Sequence, residues 1–334
     1  MRPIDDATVT TIVSLASRAP SVHNTQPWRL VWLGDRLELR SDDRRQLMYA
    51  DPAGRNLVLS CGAMLHHLTV AAAAAGWRTT VDRLPDADDP TLLASLRFTP
   101  RAPSAAQQRL ATFIEYRSTD RRQVSAWPVP ASRVAQLTAI AHDHGVLCNG
   151  ALSQESKQIL FDALPRANRI QSHTGKYLDE LLAHSHTRDA VGVPVTNMLA
   201  RPASPDVDES FTRFPVGTLE NVVDPGAEAE ATWMVLSTSS DDRLSWLRAG
   251  EALSAIWLTC TGAGWSLVPY SQPIEVDETR TVIQRSVLSD SSCPQLLLRI
   301  GWPALDRSPV PRTERLPVQD VLHLREEAAA RASW

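Results

Sequence analysis

Lysine is nearly absent from this chain: of 34 basic residues only Lys157 and Lys176 are lysines, and the rest are arginines. Any anion site must therefore be built from guanidinium groups, whose planar forks suit phosphate and carboxylate. Cysteine is scarce too. Cys61, Cys148, Cys260 and Cys293 stand far apart, without the paired spacing of a zinc site or a redox disulfide. Three of them lie in apolar context and read as small core residues. No apolar run reaches membrane-spanning length and Met1 to Asp6 carries no apolar signal core, so the expected location is the cytoplasm. Large charge imbalance is also lacking: a net charge of −4 and a pI near 6.1 give no electrostatic footing for nucleic acid or an anionic membrane. There is no Gly-x-Ser-x-Gly elbow and no P-loop, and Thr261-Gly262-Ala263-Gly264 lacks the third glycine and preceding strand of a dinucleotide fingerprint. His66-His67, His142-Asp143-His144 and His184-Ser185-His186 have no companion ligands at helical spacing, so they read as structural or surface histidines and no metal is expected.

What is present suits a packed core: 43% hydrophobic and 22% charged residues over 334 positions. Residues 6–18 read as a helix with Val9, Ile12, Val13 and Ala16 on one face, stopped at Pro20. Trp28 to Leu33 and Arg36 to Arg40 read as strands across a Gly34-Asp35 turn. Asn56 to Ala75 is an alanine-rich helix, apolar nearly all round, which belongs at the centre of a fold. Leu84 to Pro103 reads as a connector around one short strand, Leu92 to Phe98. Further on, Val134, Leu137, Ile140 and Ala141 mark a helix, Ala231 to Ser237 a strand, Gly250 to Ala263 an apolar helix and Gln295 to Ile300 a strand. The proline-rich stretch 187–226 has little periodicity and is expected to be a lid or crossing arm.

The two portions share a grammar. Gly76-Trp77 aligns with Gly264-Trp265 at an offset of 264 − 76 = 188, and the same offset pairs Arg55 with Arg243, Gly62 with Gly250, Leu65 with Leu253 and Pro85 with Pro273. At an offset of 125, Ile12 meets Leu137, Leu15 meets Ile140 and Asn24 meets Asn149. An internal duplication, with one chain imitating a two-fold dimer, is the expectation.

Three polar stretches carry candidate chemistry. Ala19-Pro20-Ser21-Val22-His23-Asn24-Thr25-Gln26-Pro27-Trp28 breaks a helix, exposes a short polar loop and opens a strand. It reads either as a cradle for a flat, hydrogen-bonding ligand or as a turn whose Asn24 satisfies its own loop. Arg117-Ser118-Thr119-Asp120-Arg121 places two guanidinium forks around two hydroxyls, as a phosphate would require, or is an ordinary solvated charge cluster. Arg312-Thr313-Glu314-Arg315-Leu316-Pro317 carries the same ambiguity.

Taken in order, these stretches resemble the nitroreductase superfamily. Ala-Pro-Ser-x-x-Asn-x-Gln-Pro-Trp resembles its opening motif, Arg117 to Arg121 its FMN motif, and Arg312 to Pro317 its C-terminal phosphate clamp. Gly264 to Gln272 resembles the loop beneath the flavin ring. The fused arrangement, from about residue 6 to 322, is similar to the actinobacterial, dormancy-associated Acg-type nitroreductase-like proteins. The resemblance implies an α+β, nitroreductase-like fold in two fused halves forming a pseudo-dimer, residues 1–105 and 106–334. It implies that Arg117, Arg312 and Arg315 hold the FMN phosphate, with Ser118 and Thr119 donating hydroxyls. Arg121 would lie near the N1/C2 carbonyl edge. Pro20, Ser21, His23 and Asn24 would reach the ring and ribityl chain, and Pro269, Ser271 and Gln272 would sit beside the ring or just beyond. The family's usual glutamate near Ser271 is missing, and its asparagine and lysine contacts in the middle of the half cannot be placed.

The first portion has the loop without the arginines, and the second has the arginines with the loop decayed to His144 to Asn149, so one FMN per chain is expected. The implied activity is hydride transfer from NAD(P)H through flavin N5 to a small electron acceptor, a quinone or a nitroaromatic, with ping-pong kinetics and no catalytic side chain. No nucleic acid, membrane or partner protein is called for. The competing expectation is a non-catalytic protein that stores or sequesters FMN beneath the lid.

Overall fold

The computed structural model describes residues 3–150, 152–185, 189–201, 212–221, 231–304 and 307–324. Helix α1 (Asp6–Ala16) starts where the Asp5 carboxylate accepts from Thr8 N at 2.8 Å, and it buries Val9, Ile12, Val13 and Ala16 as the periodicity requires. It leads through a tight loop to β1 (Trp28–Trp32) and β2 (Leu37–Ser41), then to α2 (Arg55–Ala74), β3 (Trp77–Arg83), β4 (Leu92–Pro100) and α3 (Ala105–Tyr116). The chain continues with α4 (Ala131–Asp143), β5 (Leu147–Asn149), α5 (Gln154–Ser172), α6 (Gly175–Ala183), β6 (Thr232–Thr238) and α7 (Arg243–Gly262). It ends with β7 (Ser266–Tyr270), α8 (Gln272–Glu275), α9 (Asp277–Ser286), β8 (Cys293–Gly301), α10 (Val318–Val321) and β9 (Leu322–Leu324).

The architecture is α+β, as expected. One sheet has the order β3-β4-β2-β1-β9 and the other, read from β7, the order β7-β8-β6-β5. The first four strands of each therefore repeat one arrangement, all antiparallel, and β9 adds to β1 in parallel with Leu30 opposite Leu322. That last pairing carries the C-terminal segment back onto the first sheet. Along β6 the side chains alternate: Met234 and Leu236 pack with α4 and α7, while Trp233 and Val235 face α5 and α9.

Helices α2 and α7 are each 20 residues long and begin at Arg55 and Arg243, again 188 apart. They cross at Gly62 and Gly250. A Cβ on Gly62 would lie 2.0 Å from Leu247 O, and one on Gly250 would lie 1.9 Å from Leu59 O, so backbone meets backbone and only glycine fits. By length and composition α2 could span a membrane, yet most of it is buried in the core between the first sheet and α7.

Several expectations need correction. Helix α7 begins at Arg243 rather than Gly250, because Asp242 caps it by accepting from Ser245 N at 2.8 Å; Gly250 is a crossing point, not a start. Within the connector at 84–103 the expected strand runs two residues further, β4 reaching Pro100 opposite Trp77 of β3. The offset of 125 holds for the starts of α1 and α4 but not for the asparagines, since Asn24 lies in the turn before β1 and Asn149 lies within β5. The expected lid at 187–226 falls in part outside the described residues, as does His186.

Candidate functional site

A cavity of about 1110 Å³ lies between the N-terminal loop, the two central helices and strands β7 and β8 of the second sheet. Pro20, Ser21, His23, Asn24, Arg117, Ser118, Thr119, Arg121, Pro269, Ser271, Gln272, Arg312 and Arg315 all line it, although they come from stretches almost 300 positions apart (315 − 20 = 295). Helices α2 (Asn56, Leu59, Ser60) and α7 (Leu253, Trp257) supply the floor. The size sits at the upper end of small-molecule sites, enough for a cofactor and a second reactant.

The N-terminal loop is shaped by three left-handed residues, His23 (φ 46°), Asn24 (φ 54°) and Gln26 (φ 50°). Such backbone persists in non-glycine residues only when surrounding bonds enforce it. Here Gln26 N donates to Ser21 Oγ at 2.9 Å, and Asn24 Nδ2 donates to Ala190 O (2.9 Å), Gly192 O (3.2 Å) and Glu314 O (3.3 Å). The Ser21 hydroxyl accepts from the loop itself and the Asn24 amide nitrogen is engaged by carbonyls, leaving Asn24 Oδ1 buried without a partner. The cradle expected of Ser21 and Asn24 is thus in part a self-satisfying turn.

At one end of the cavity stands a guanidinium cluster. Arg117 follows directly on α3 and stacks over Trp257 at 4.5 Å; its Nη2 donates weakly to Arg18 O at 3.4 Å, and its buried Nε and Nη1 find no acceptor. Arg315 donates to Arg18 O and Ala19 O, both at 3.3 Å. Burial first, and then the neighbouring charges of Arg315 and Arg18, lower the Arg117 pKa to about 9. Arg315 falls to about 10 for the same reasons. Neither arginine makes an ion pair among the described residues. Buried cations without counter-ions are costly, and an anion placed among them removes that cost.

Toward the other end, Arg121 lies over Phe214 at 4.7 Å and donates to Asn197 O at 3.1 Å. Burial brings its pKa down to about 10. His23 is buried against Phe214, ring centroids 5.2 Å apart, with Nε2 3.4 Å from Arg213 Nη1. Burial, then Arg213, His184 and Arg121, hold its pKa well below 6.5, so its imidazole is neutral at physiological pH.

Sequence reading passed over two residues here. A carboxylate does stand near Ser271: Glu275 accepts from Ser271 Oγ at 2.8 Å and from Arg213 through both oxygens at 2.9 Å. Asn56 and Gln171 complete its shell. Arg213 belongs to the stretch expected to form a lid, and the described parts of that stretch do wall the cavity, through Val193, Asn197, Leu199 and Thr212 to Val216. Gln272 lines the cavity while its side chain is held by α5. Its amide donates to Gln171 Oε1 (2.8 Å) and Asn168 Oδ1 (3.2 Å) on α5.

Fold and site together define a two-sheet α+β protein with an arginine-lined pocket for a planar or phosphorylated anion. The sequence profile of the nitroreductase family matches residues 1–47. A Mycobacterium tuberculosis protein provisionally named an NAD(P)H nitroreductase, Rv3131, is 38% identical over 97% of this chain and 93% of its own length. A second from that organism, provisionally named NAD(P)H nitroreductase acg, is 31% identical over 94% of each. This chain belongs to the nitroreductase family. Among solved structures, the FMN-dependent nitroreductase of Mycobacterium smegmatis in complex with NADPH matches 65% of this chain and 98% of its own, at 13% identity and a TM-score of 0.41.

Proposed function

We propose that this chain is an FMN-dependent NAD(P)H oxidoreductase of nitroreductase type, reducing a small electron acceptor such as a quinone or nitroaromatic. The observation that carries the reading is Arg117: a buried guanidinium over Trp257, beside Arg315 and Arg18, whose charge no described residue neutralises. A phosphate monoester fits that donor set. Arg117, Arg312 and Arg315 would hold it, with Ser118 and Thr119 donating hydroxyls.

Bound flavin supplies hydride acceptance and donation at N5. The protein's part is positional and electrostatic. Arg121 sets a fixed positive charge in the chamber, favouring a ligand that gains negative charge on reduction. His23, neutral, adds no charge of its own. The described wall from 193–200 and 212–216 lines the same chamber and would limit water's access to a bound flavin. Since the loop at 18–24 and the arginines at 117–121 and 312–315 come from opposite portions, residues 1–105 and 106–334 would act as the fused halves of a dimer, with one flavin site per chain and no need of a second subunit.

One observation favours a second reading, flavin storage without turnover. The buried Arg213–Glu275 pair fastens the 212–221 segment against the chamber and would deny acceptors access. Purified protein should be yellow or take up FMN stoichiometrically. Stopped-flow mixing of that holoprotein with NADPH then separates the readings: bleaching of the visible flavin band within seconds marks an oxidoreductase, an unchanged spectrum marks storage. Protein that binds no FMN refutes both.

A further inference from the structure

Gln26 is completely buried and uses both ends of its carboxamide on segments remote in sequence. Its Oε1 accepts from Leu316 N at 2.9 Å, and its Nε2 donates to Ala190 O at 2.7 Å. The acceptor bond lies one residue from Arg315, whose guanidinium reaches back to Arg18 O and Ala19 O beside the same loop. Asn24 reinforces the junction through Glu314 O. Elsewhere the C-terminal strap is tied by the Asn197 Nδ2 bond to Pro311 O and by the β9 pairing on β1. Between those two anchors, only the bonds from Gln26 and Asn24 and those of Arg315 itself fix the strap to the N-terminal loop among the described residues.

We infer that Gln26 is a positioning residue for the phosphate end of the site: its side-chain oxygen docks the strap at Leu316 and so sets Arg315 beside Arg117. This rests on the flavin reading above. The left-handed backbone at Gln26 is part of the device, because it turns the side chain inward across the loop while Ser21 Oγ holds the Gln26 N–H. Without the oxygen acceptor, Leu316 N–H is left unsatisfied, and a buried donor without a partner favours displacement of the segment that carries it.

The test compares wild type with Gln26→Met, which keeps the unbranched shape but has no oxygen, and Gln26→Glu, which keeps the acceptor. In flavin-free protein, hydrogen exchange at the Leu316 amide should be slow in wild type and Gln26→Glu and fast in Gln26→Met. Titration with FMN and with riboflavin, which lacks the phosphate, reads the consequence. Gln26→Met should bind FMN about tenfold more weakly, as for one lost buried hydrogen bond, with riboflavin affinity changed less than about twofold. Gln26→Glu should restore FMN affinity. Equal losses for both flavins, or Leu316 exchange unchanged in Gln26→Met, overturn the role of Gln26. Wild-type protein that takes up neither flavin would instead refute the flavin reading, before any variant is examined.

Discussion

Replacing Arg117 with methionine should stabilise the flavin-free protein while weakening its hold on FMN. Burial and the neighbouring cations bring the Arg117 pKa down to about 9 from the ordinary guanidinium range, and at about 1.4 kcal/mol per unit confining the charged form costs at most about 5 kcal/mol. Against this stands the contact with Trp257, a cation–π pair contributing about 1–2 kcal/mol when desolvated. Methionine fills similar space against the indole without charge. The net gain expected in the flavin-free state is therefore at most about 3–4 kcal/mol at pH 7. A cation whose folded pKa is depressed carries its full penalty below about 9, and the fold recovers stability only as pH rises above that value. Urea denaturation of flavin-free Arg117→Met and wild type at pH 7, paired with an FMN titration of each, measures both effects. If Arg117→Met is less stable than wild type without flavin, Arg117 is a structural cation with a partner, and the argument for an anion site collapses.

Two further outcomes test the frame around the site. Gly250→Ala should destabilise by about 3 kcal/mol or more, since its Cβ would lie 1.9 Å from Leu59 O and neither helix backbone can yield locally; thermal denaturation reads the loss. Asp51, which accepts from Leu57 N at 2.8 Å at the head of α2, has its pKa raised to about 7, chiefly by burial and further by Glu275. A carboxyl raised on folding binds its proton more tightly in the native state, so it subtracts stability as pH rises from about 4 to 7. Asp51→Asn should flatten that decline in urea midpoints measured from pH 4 to 8.

How much of this was legible beforehand depended on the kind of signal each residue left. Val9, Ile12, Val13 and Ala16 announced α1 because burial on one helical face imposes its own period, and all four are buried as that period demands. Arg55 and Arg243, with Gly62 and Gly250, announced the paired central helices because a backbone-to-backbone crossing leaves no alternative to glycine. Helix α5 carries the same kind of mark, with Leu160, Ala163, Leu164 and Ala167 at helical spacing on its buried face, but the many polar residues between them obscured it. Strand β3 was obscured differently, being half-buried and rich in charge, so that its identity comes from pairing with β4 rather than from its own composition.

The site divides along the same line. Arg117, Arg121, Arg312 and Arg315 could be singled out because lysine is nearly absent and their spacing around hydroxyls is compact, features that exist in one dimension. Arg213 and Glu275 could not. They are 62 positions apart, each is unremarkable among its neighbours, and their pairing exists only once the 212–221 segment folds onto α8. The same logic applies to Asn24, for which the sequence left a ligand contact and a turn contact both open. In the sequence its amide resembles a ligand contact, whereas in the fold its donors meet Ala190, Gly192 and Glu314, carbonyls 166 to 290 positions away. A polar residue in a motif therefore has two possible recipients, ligand and remote backbone, and local sequence cannot choose between them. Charge can be counted without coordinates, but a hydrogen bond needs both of its ends, which is why the electrostatic half of this site was readable and the amide half was not.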